Sequence, residues 1–165
     1  MVMESRGVQA SQLAAALREL EPVCASMCAN RPDRMRTVVP ELRALLQGTE
    51  GALNDPLAFT RISRQFHEAI VNGCGNEAML VAVGALEAIW SPSAKGWARK
   101  AEQADNYPDI ESRRSAMRTH DKITTLIEEG RADKVAMLIR EHVSAAQRYS
   151  LGSYPDRAIT VEEFT

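Results

Sequence analysis

Long apolar runs are missing from this chain. No stretch approaches the roughly 20 consecutive apolar residues that a membrane-spanning helix requires. The N-terminus has no charged-then-apolar signal layout. The expected residence is therefore the cytoplasm, with no membrane partner. Aromatic residues are scarce, at 5% of 165 residues. Alanine, leucine, glutamate and arginine dominate instead, a mix that favours helices packed through small side chains over a β-sandwich or barrel. There is also little net charge: −2, with a pI near 6.0. Its basic residues are scattered, with Arg113 and Arg114 making only a short pair. Neither feature attracts nucleic acid, so DNA binding by this chain alone is not expected. The chain contains no glycine-rich phosphate loop, no Gly-x-Ser-x-Gly and no His-Glu-x-x-His.

Cysteine and histidine are each present only three times. Cys24 and Cys28 lie four apart on a predicted helix. They read either as half of a metal or redox site or, more simply, as two small buried thiols, since no second cysteine pair exists. Cys74, within Gly73-Cys74-Gly75, looks incidental. The histidines are His67, His120 and His142, and each falls on the apolar stripe of its own predicted helix.

What remains is ordinary for a globular protein: 45% hydrophobic and 25% charged residues, in a length that suits one domain with a sizeable core. Residues 1–9 lack periodicity and read as a linker remnant or disordered N-terminus. Residues 10–150 carry the helical domain, and residues 151–165 form a polar tail with scattered Tyr154, Ile159, Val161 and Phe164. Ser11 can cap a first helix to about Asn30, with a kink or late restart at Pro22. A second helix is expected over about 33–49, with Met35, Val38, Val39, Leu42, Leu45 and Leu46 inward and Gly48 ending it. Asn54-Asp55-Pro56 is a strong helix start.

The third helix, about 55–72, repeats Phe59, Ile62, Phe66 and Ile70 at helical spacing. Ser63 and His67 lie one turn apart on the border of that stripe. Asn76 is read as the cap of a fourth helix over about 77–91. Ser91-Pro92-Ser93 then marks a break before a weakly apolar helix anchored by Trp97. Trp90 and Trp97 are candidates for a pocket wall or a dimer face, against ordinary packing. A long helix from about Asp109 to Glu129 and a last one over about 132–149, with Tyr149 inward, complete the chain. The expected fold is all-α, an antiparallel bundle of six or seven helices.

Four stretches together resemble one family. Leu20-Glu21 with Cys24-Ala25 and Met27-Cys28-Ala29 is similar to its first-helix pattern. Phe59-x-x-Ile62-Ser63-x-x-Phe66-His67 is similar to its central Phe-x-x-Leu-Asp-x-x-Phe-His. Cys74-Gly75-Asn76 with Leu80 resembles the turn that follows, and His120-x-x-Ile123, Glu129-Gly130 and Arg140-x-His142 resemble its last two helices. The family is the effector-binding C-terminal domain, FCD, of FadR-type regulators in the GntR family.

The resemblance implies a bundle that binds a divalent metal through one Asp and three His, with a small carboxylate effector against it. His67, His120 and His142 fall on the histidine positions, and Ser63 falls on the Asp position, where a hydroxyl is a poor ligand without charge. Three imidazoles suit zinc or nickel. Leu17 stands where the family commonly has Arg, with Arg18 adjacent. The candidate effector contacts are Arg18, Arg113 and Asn76, set against a solvated face for the arginines and a plain helix cap for Asn76. The implied role is effector sensing and homodimerisation. DNA is then bound only through a winged-helix domain that these residues do not contain. The chain is either an excised domain or a stand-alone sensor. Two other readings stay open: a small three-His metalloenzyme, and a metal-free helical dimer with structural histidines. Glu68 and Glu141 adjoin two histidines but project about 100° away on their helices, so no base is expected and the chain is not expected to be an enzyme.

Overall fold

A computed structural model describes residues 9–152. The predicted linker (apart from Gln9) and the tail side chains Tyr154, Ile159, Val161 and Phe164 lie outside the described residues. Among the described residues, seven helical segments build the domain: α1 (Ala10–Asn30), α2 (Arg34–Thr37), α3 (Val39–Gly51), α4 (Pro56–Gly73), α5 (Glu77–Gln103), α6 (Ile110–Glu128) and α7 (Ala132–Leu151). The all-α bundle expected from composition and periodicity is what forms. None of its helices is long and apolar enough to cross a membrane.

Helix α1 is the hub, packing against α4, α5, α6 and α7. It can do so because its buried residues cover more than one stripe. Leu13, Leu17, Cys24 and Cys28 line one side, and Ala10, Ala14, Ala25 and Ala29 let neighbouring helices approach closely. These side chains join Phe66, Ile70, Val83, Ile123, Ile127, Val135, Ile139 and Val143 in a continuous core. Each fully buried Leu or Ile contributes on the order of 1.5–3 kcal/mol. Deep in the same core, Gln147 Nε2 donates to the Ala14 carbonyl at 2.8 Å and ties α7 to α1.

The caps follow local chemistry. Asp55 accepts from the Ala58 N–H at 2.9 Å, with Pro56 at the first helical position. Asn76 and Asp109 accept from Met79 N–H and Ser112 N–H in the same way. Gly130 takes a positive φ of 70° after α6, where an added Cβ would stand 3.0 Å from Arg34 Nη2. At the start of α1 the cap is Gln9, whose N–H donates to Gln12 Oε1 at 3.2 Å. Ser11, the predicted cap, already lies inside the helix.

Four helix boundaries differ from expectation. The predicted second helix is split into α2 and α3 at Val38, where Pro40, in the first turn of α3, has no N–H to donate to the carbonyl four residues back. Met35 consequently sits on the exposed single turn of α2, and α3 runs past Gly48 to Gly51. Helix α1 passes through Pro22 without a restart. Helix α5 likewise passes through Pro92, so Ser91-Pro92-Ser93 is no break. Val83, Glu87, Trp90, Ala94, Ala98 and Ala101 are all buried. Their helical phase continues across the proline, so packing outweighs the lost hydrogen bond. Tyr149, expected inward, is 54% exposed.

The three cysteines are all free and buried. Cys28 donates to the Ile70 carbonyl at 3.1 Å, and Cys74, which looks incidental in the sequence, lies beside Cys24. Burial, then the neighbouring Cys74, pushes the Cys24 thiol up to about 12. Cys28 is pushed up by the same two causes. Protonated thiols of this kind are packing groups.

Ile139 is fully buried between α1 and α7, whereas Met137, two residues earlier, is 66% exposed. Ile139→Ala is expected to lower the unfolding free energy by about 2–5 kcal/mol. Met137→Ala should change it by less than about 0.5 kcal/mol. Urea unfolding followed by circular dichroism measures both.

Candidate functional site

The histidine-bearing faces of α4, α6 and α7 meet beneath α1. His67 follows Phe66 on the buried face of α4, which also carries Phe59, Ile70 and Val71. His120 lies one turn before Ile123 and Thr124 on the buried face of α6. His142 sits between Ile139 and Val143 on α7. The three rings converge, with one ligand nitrogen from each within 4.8 Å of the others. His120 Nε2 and His142 Nε2 are only 2.8 Å apart. The His67 and His142 rings stack with centroids 5.3 Å apart, and the His120 ring stands edge-on to both. Phe66 lies flat on His120 at 4.1 Å and fixes its plane.

A residue absent from the predicted site completes it. Glu21, buried on α1, places Oε2 2.6 Å from His67 Nδ1. A carboxylate that accepts the Nδ1 proton leaves the Nε2 lone pair of His67 free and oriented, the arrangement that metal-ligating histidines commonly use. Burial raises Glu21 above the ordinary carboxylate range, partly offset by the charge of Arg64. Burial, then the charge of Arg64, lowers His67 to about 3. His142 is lowered to about 3 by burial, then His67 and Arg64. His120 is lowered by burial and then by His142 and His67. All three imidazoles are therefore neutral at pH 7, the form that donates a lone pair.

The donor set fits a divalent transition metal. Two cis nitrogens around an ion at about 2.0–2.1 Å stand roughly 3 Å apart, close to the 2.8 Å found between His120 and His142. That contact holds one proton between two nitrogens, an N–H···N hydrogen bond that an ion accepting both Nε2 lone pairs would replace.

His67 and His142 also form part of the wall of a cavity of about 440 Å³, which Ser63 and Arg64 share. Arg64 is buried and pairs with buried Glu87 on α5. Glu87 is raised to about 7 by burial, which the charge of Arg64 only partly offsets. Of the predicted residues, the structure thus brings together His67, His120 and His142, with Ser63 on the cavity wall. Arg113 reaches the cavity too, but its guanidinium donates to the Leu53 and Asp109 carbonyls. Arg18 and Asn76 do not line the cavity. Arg18 points to solvent beside Glu19, and Asn76 spends its side chain on the α5 cap. Glu68 accepts from Ser91 Oγ at 2.5 Å.

Glu21, Arg64 and Glu87 escape a reading of the sequence for chemistry, yet each leaves a trace there. Glu21 is four residues after Leu17, Arg64 four after Thr60 and Glu87 four after Val83, so each charge interrupts a buried stripe. A charge on an apolar stripe needs a buried partner.

No curated protein and no solved structure matches the chain. The family model described as the FCD domain matches residues 12–145, a span that contains the three histidines and all seven helices in whole or large part. The chain belongs to the FCD family, the effector-binding domain of FadR/GntR-type transcription regulators.

Proposed function

We propose that this chain senses a small carboxylate effector on a divalent transition metal, zinc or nickel, held by His67, His120 and His142. The observation that carries this reading is the convergence of three neutral imidazoles from three helices beside a cavity. When bound, the metal supplies an open coordination position and positive charge. The chain's residues do the rest. Glu21 orients His67, Phe66 fixes His120, and the core keeps bulk water from the inner face of the rings. Ser63, where a carboxylate ligand is usual, contributes a hydroxyl without charge. The bound metal site therefore keeps more positive charge for an anionic effector. Effector binding then biases the arrangement of two domains and so the DNA affinity of a winged-helix domain elsewhere in the regulator.

Dimerisation is supported by α5. Between Ala78 and Ala94 its only charged residue is Glu87, which is buried. The solvent side there presents Ala78, Val81, Ala82, Ala85 and Ala88, with Val81 67% exposed. A helix that is apolar on every side is one whose outer face is covered. A second copy of the chain is the proposed cover.

Metal content measured by mass spectrometry after reconstitution with zinc should approach one equivalent, and His142→Ala should abolish it. Glu21→Gln should weaken the metal about 10–100-fold while leaving the helical spectrum intact. Less than about a tenth of an equivalent in the unaltered protein would remove the metal from this reading.

The metal-free domain should lose stability on acidification. The folded histidines at about 3 stay neutral while unfolded ones protonate below about 6.5. That costs up to about 1.4 kcal/mol per pH unit for each histidine. Glu87 acts in the opposite sense between about 4.5 and 7, because there the folded state holds its proton and the unfolded state does not. The net loss is therefore shallow from pH 6.5 to 4.5 and steeper below it. Urea unfolding in the presence of a chelator at pH 7, 5.5 and 4 checks this ordering.

For the dimer, Val81→Glu with Ala85→Glu should yield monomers by light scattering, with the fold unchanged. An unaltered chain that is monomeric at high micromolar concentration would count against the α5 interface.

A further inference from the structure

The cavity is large and two-ended, and that narrows the ligand. Its volume of about 440 Å³ falls in the range of roughly 300–1,000 Å³ that encloses a drug-sized molecule. A two- or three-carbon acid would leave most of it to water. Along α4 the wall changes character over two turns, from Phe59 and Thr60 through Ser63 and Arg64 to His67. At 1.5 Å per residue, that is a path of about 10–12 Å. Arg64 and His67 stand at one end of that path, and Phe59, with Thr60 bonded to Tyr107, at the other.

The aromatic end is unusual for this chain. Only eight of its residues are Phe, Trp or Tyr, yet Phe59, Trp90, Trp97, Tyr107 and Tyr149 all line this cavity. Trp97 and Tyr107 form a tilted pair with centroids 5.5 Å apart. Tyr107 is held from outside: its hydroxyl bonds Thr60 Oγ1 at 2.7 Å, and the Arg113 guanidinium stands 5.6 Å from its ring centroid. Rings fixed in this way offer flat faces to a flat ligand.

At the polar end, Arg64 lines the cavity and gives one donor nitrogen to Glu87. A guanidinium carries five N–H donors in a fixed fork, so it can take a second acceptor beside the first. Arg113, the other arginine of the wall, spends its donors on backbone carbonyls. Exposed Glu141 on the opposite wall adds negative charge. The wall therefore suits one carboxylate and disfavours a second.

We propose that the cavity takes an aryl monocarboxylate, with its carboxylate at Arg64 and its ring against Trp97, Tyr107 and Trp90. This rests on the reading of the cavity as an effector site but not on the metal.

Isothermal titration calorimetry with 3-phenylpropionate, propionate and 3-phenylpropionamide tests it, on zinc-loaded and chelator-treated protein alike. The unaltered protein should bind phenylpropionate at least tenfold tighter than either of the other two. Trp97→Leu should remove the preference over propionate. The double variant Arg64→Leu/Glu87→Leu, which deletes the ion pair without stranding a charge, should remove the preference over the amide. Each comparison is a ratio of two ligands on one protein, so a partial loss of folded material cancels. Propionate binding as tightly as phenylpropionate would overturn the aryl proposal and leave the effector site standing. Preferences unchanged in both variants would overturn the assigned residues. Absence of binding by every acid would overturn the effector site itself, and the aryl proposal with it.

Discussion

The hydrogen bond between Glu21 and His67 joins the hub of the bundle to its chemistry. Helix α1 touches five other helices, so its position sets theirs, and Glu21 is the one acidic side chain on its buried surface. Isolated in an apolar interior, a carboxylate is strongly disfavoured. Paired at 2.6 Å with a ring nitrogen, it becomes a polar latch between α1 and α4. The latch chooses which nitrogen of His67 faces the other two histidines. Without it the ring has two tautomers and no reason to present Nε2 inward.

Around that latch the interior holds more polarity than a bundle of this size needs for folding. Arg64 and Glu87 form a second buried pair, and three neutral imidazoles crowd together with His120 Nδ1 unpartnered. Replacing such groups with hydrocarbon would often be neutral or stabilising. Their presence is better explained by what they bind. The cavity fits the same view, because its wall combines imidazole and guanidinium groups with aromatic rings. A domain that senses a ligand through its packing has to put its recognition groups where helix positions respond to them. Here they lie on α4, α5, α6 and α7, all in contact with α1.

Much of this is legible in the sequence. Phe59, Phe66 and Ile70 repeat at helical spacing, and Asp55-Pro56 and Asn76 announce the starts of α4 and α5. The inward placement of His67 and His120 follows from phase alone. The rest depends on contacts between distant residues. Glu21 meets His67 across 46 positions and Arg64 meets Glu87 across 23, separations that one sequence does not reveal. Pro22 and Pro92 read locally as breaks. They become tolerable only once tertiary packing on both sides of each proline is counted. Cys74 looks incidental in its glycine turn, yet the α4–α5 junction brings it to the buried cysteines of α1.

X-ray absorption at the zinc edge of reconstituted protein tests the central claim most directly, because it reports the atoms bound to the ion. Three imidazole nitrogens at about 2.0–2.1 Å, with light oxygen donors filling the remaining positions, are predicted. Sulfur at about 2.3 Å, pointing to Cys24, Cys28 and Cys74, or a shell of oxygen with no imidazole signature, would contradict it.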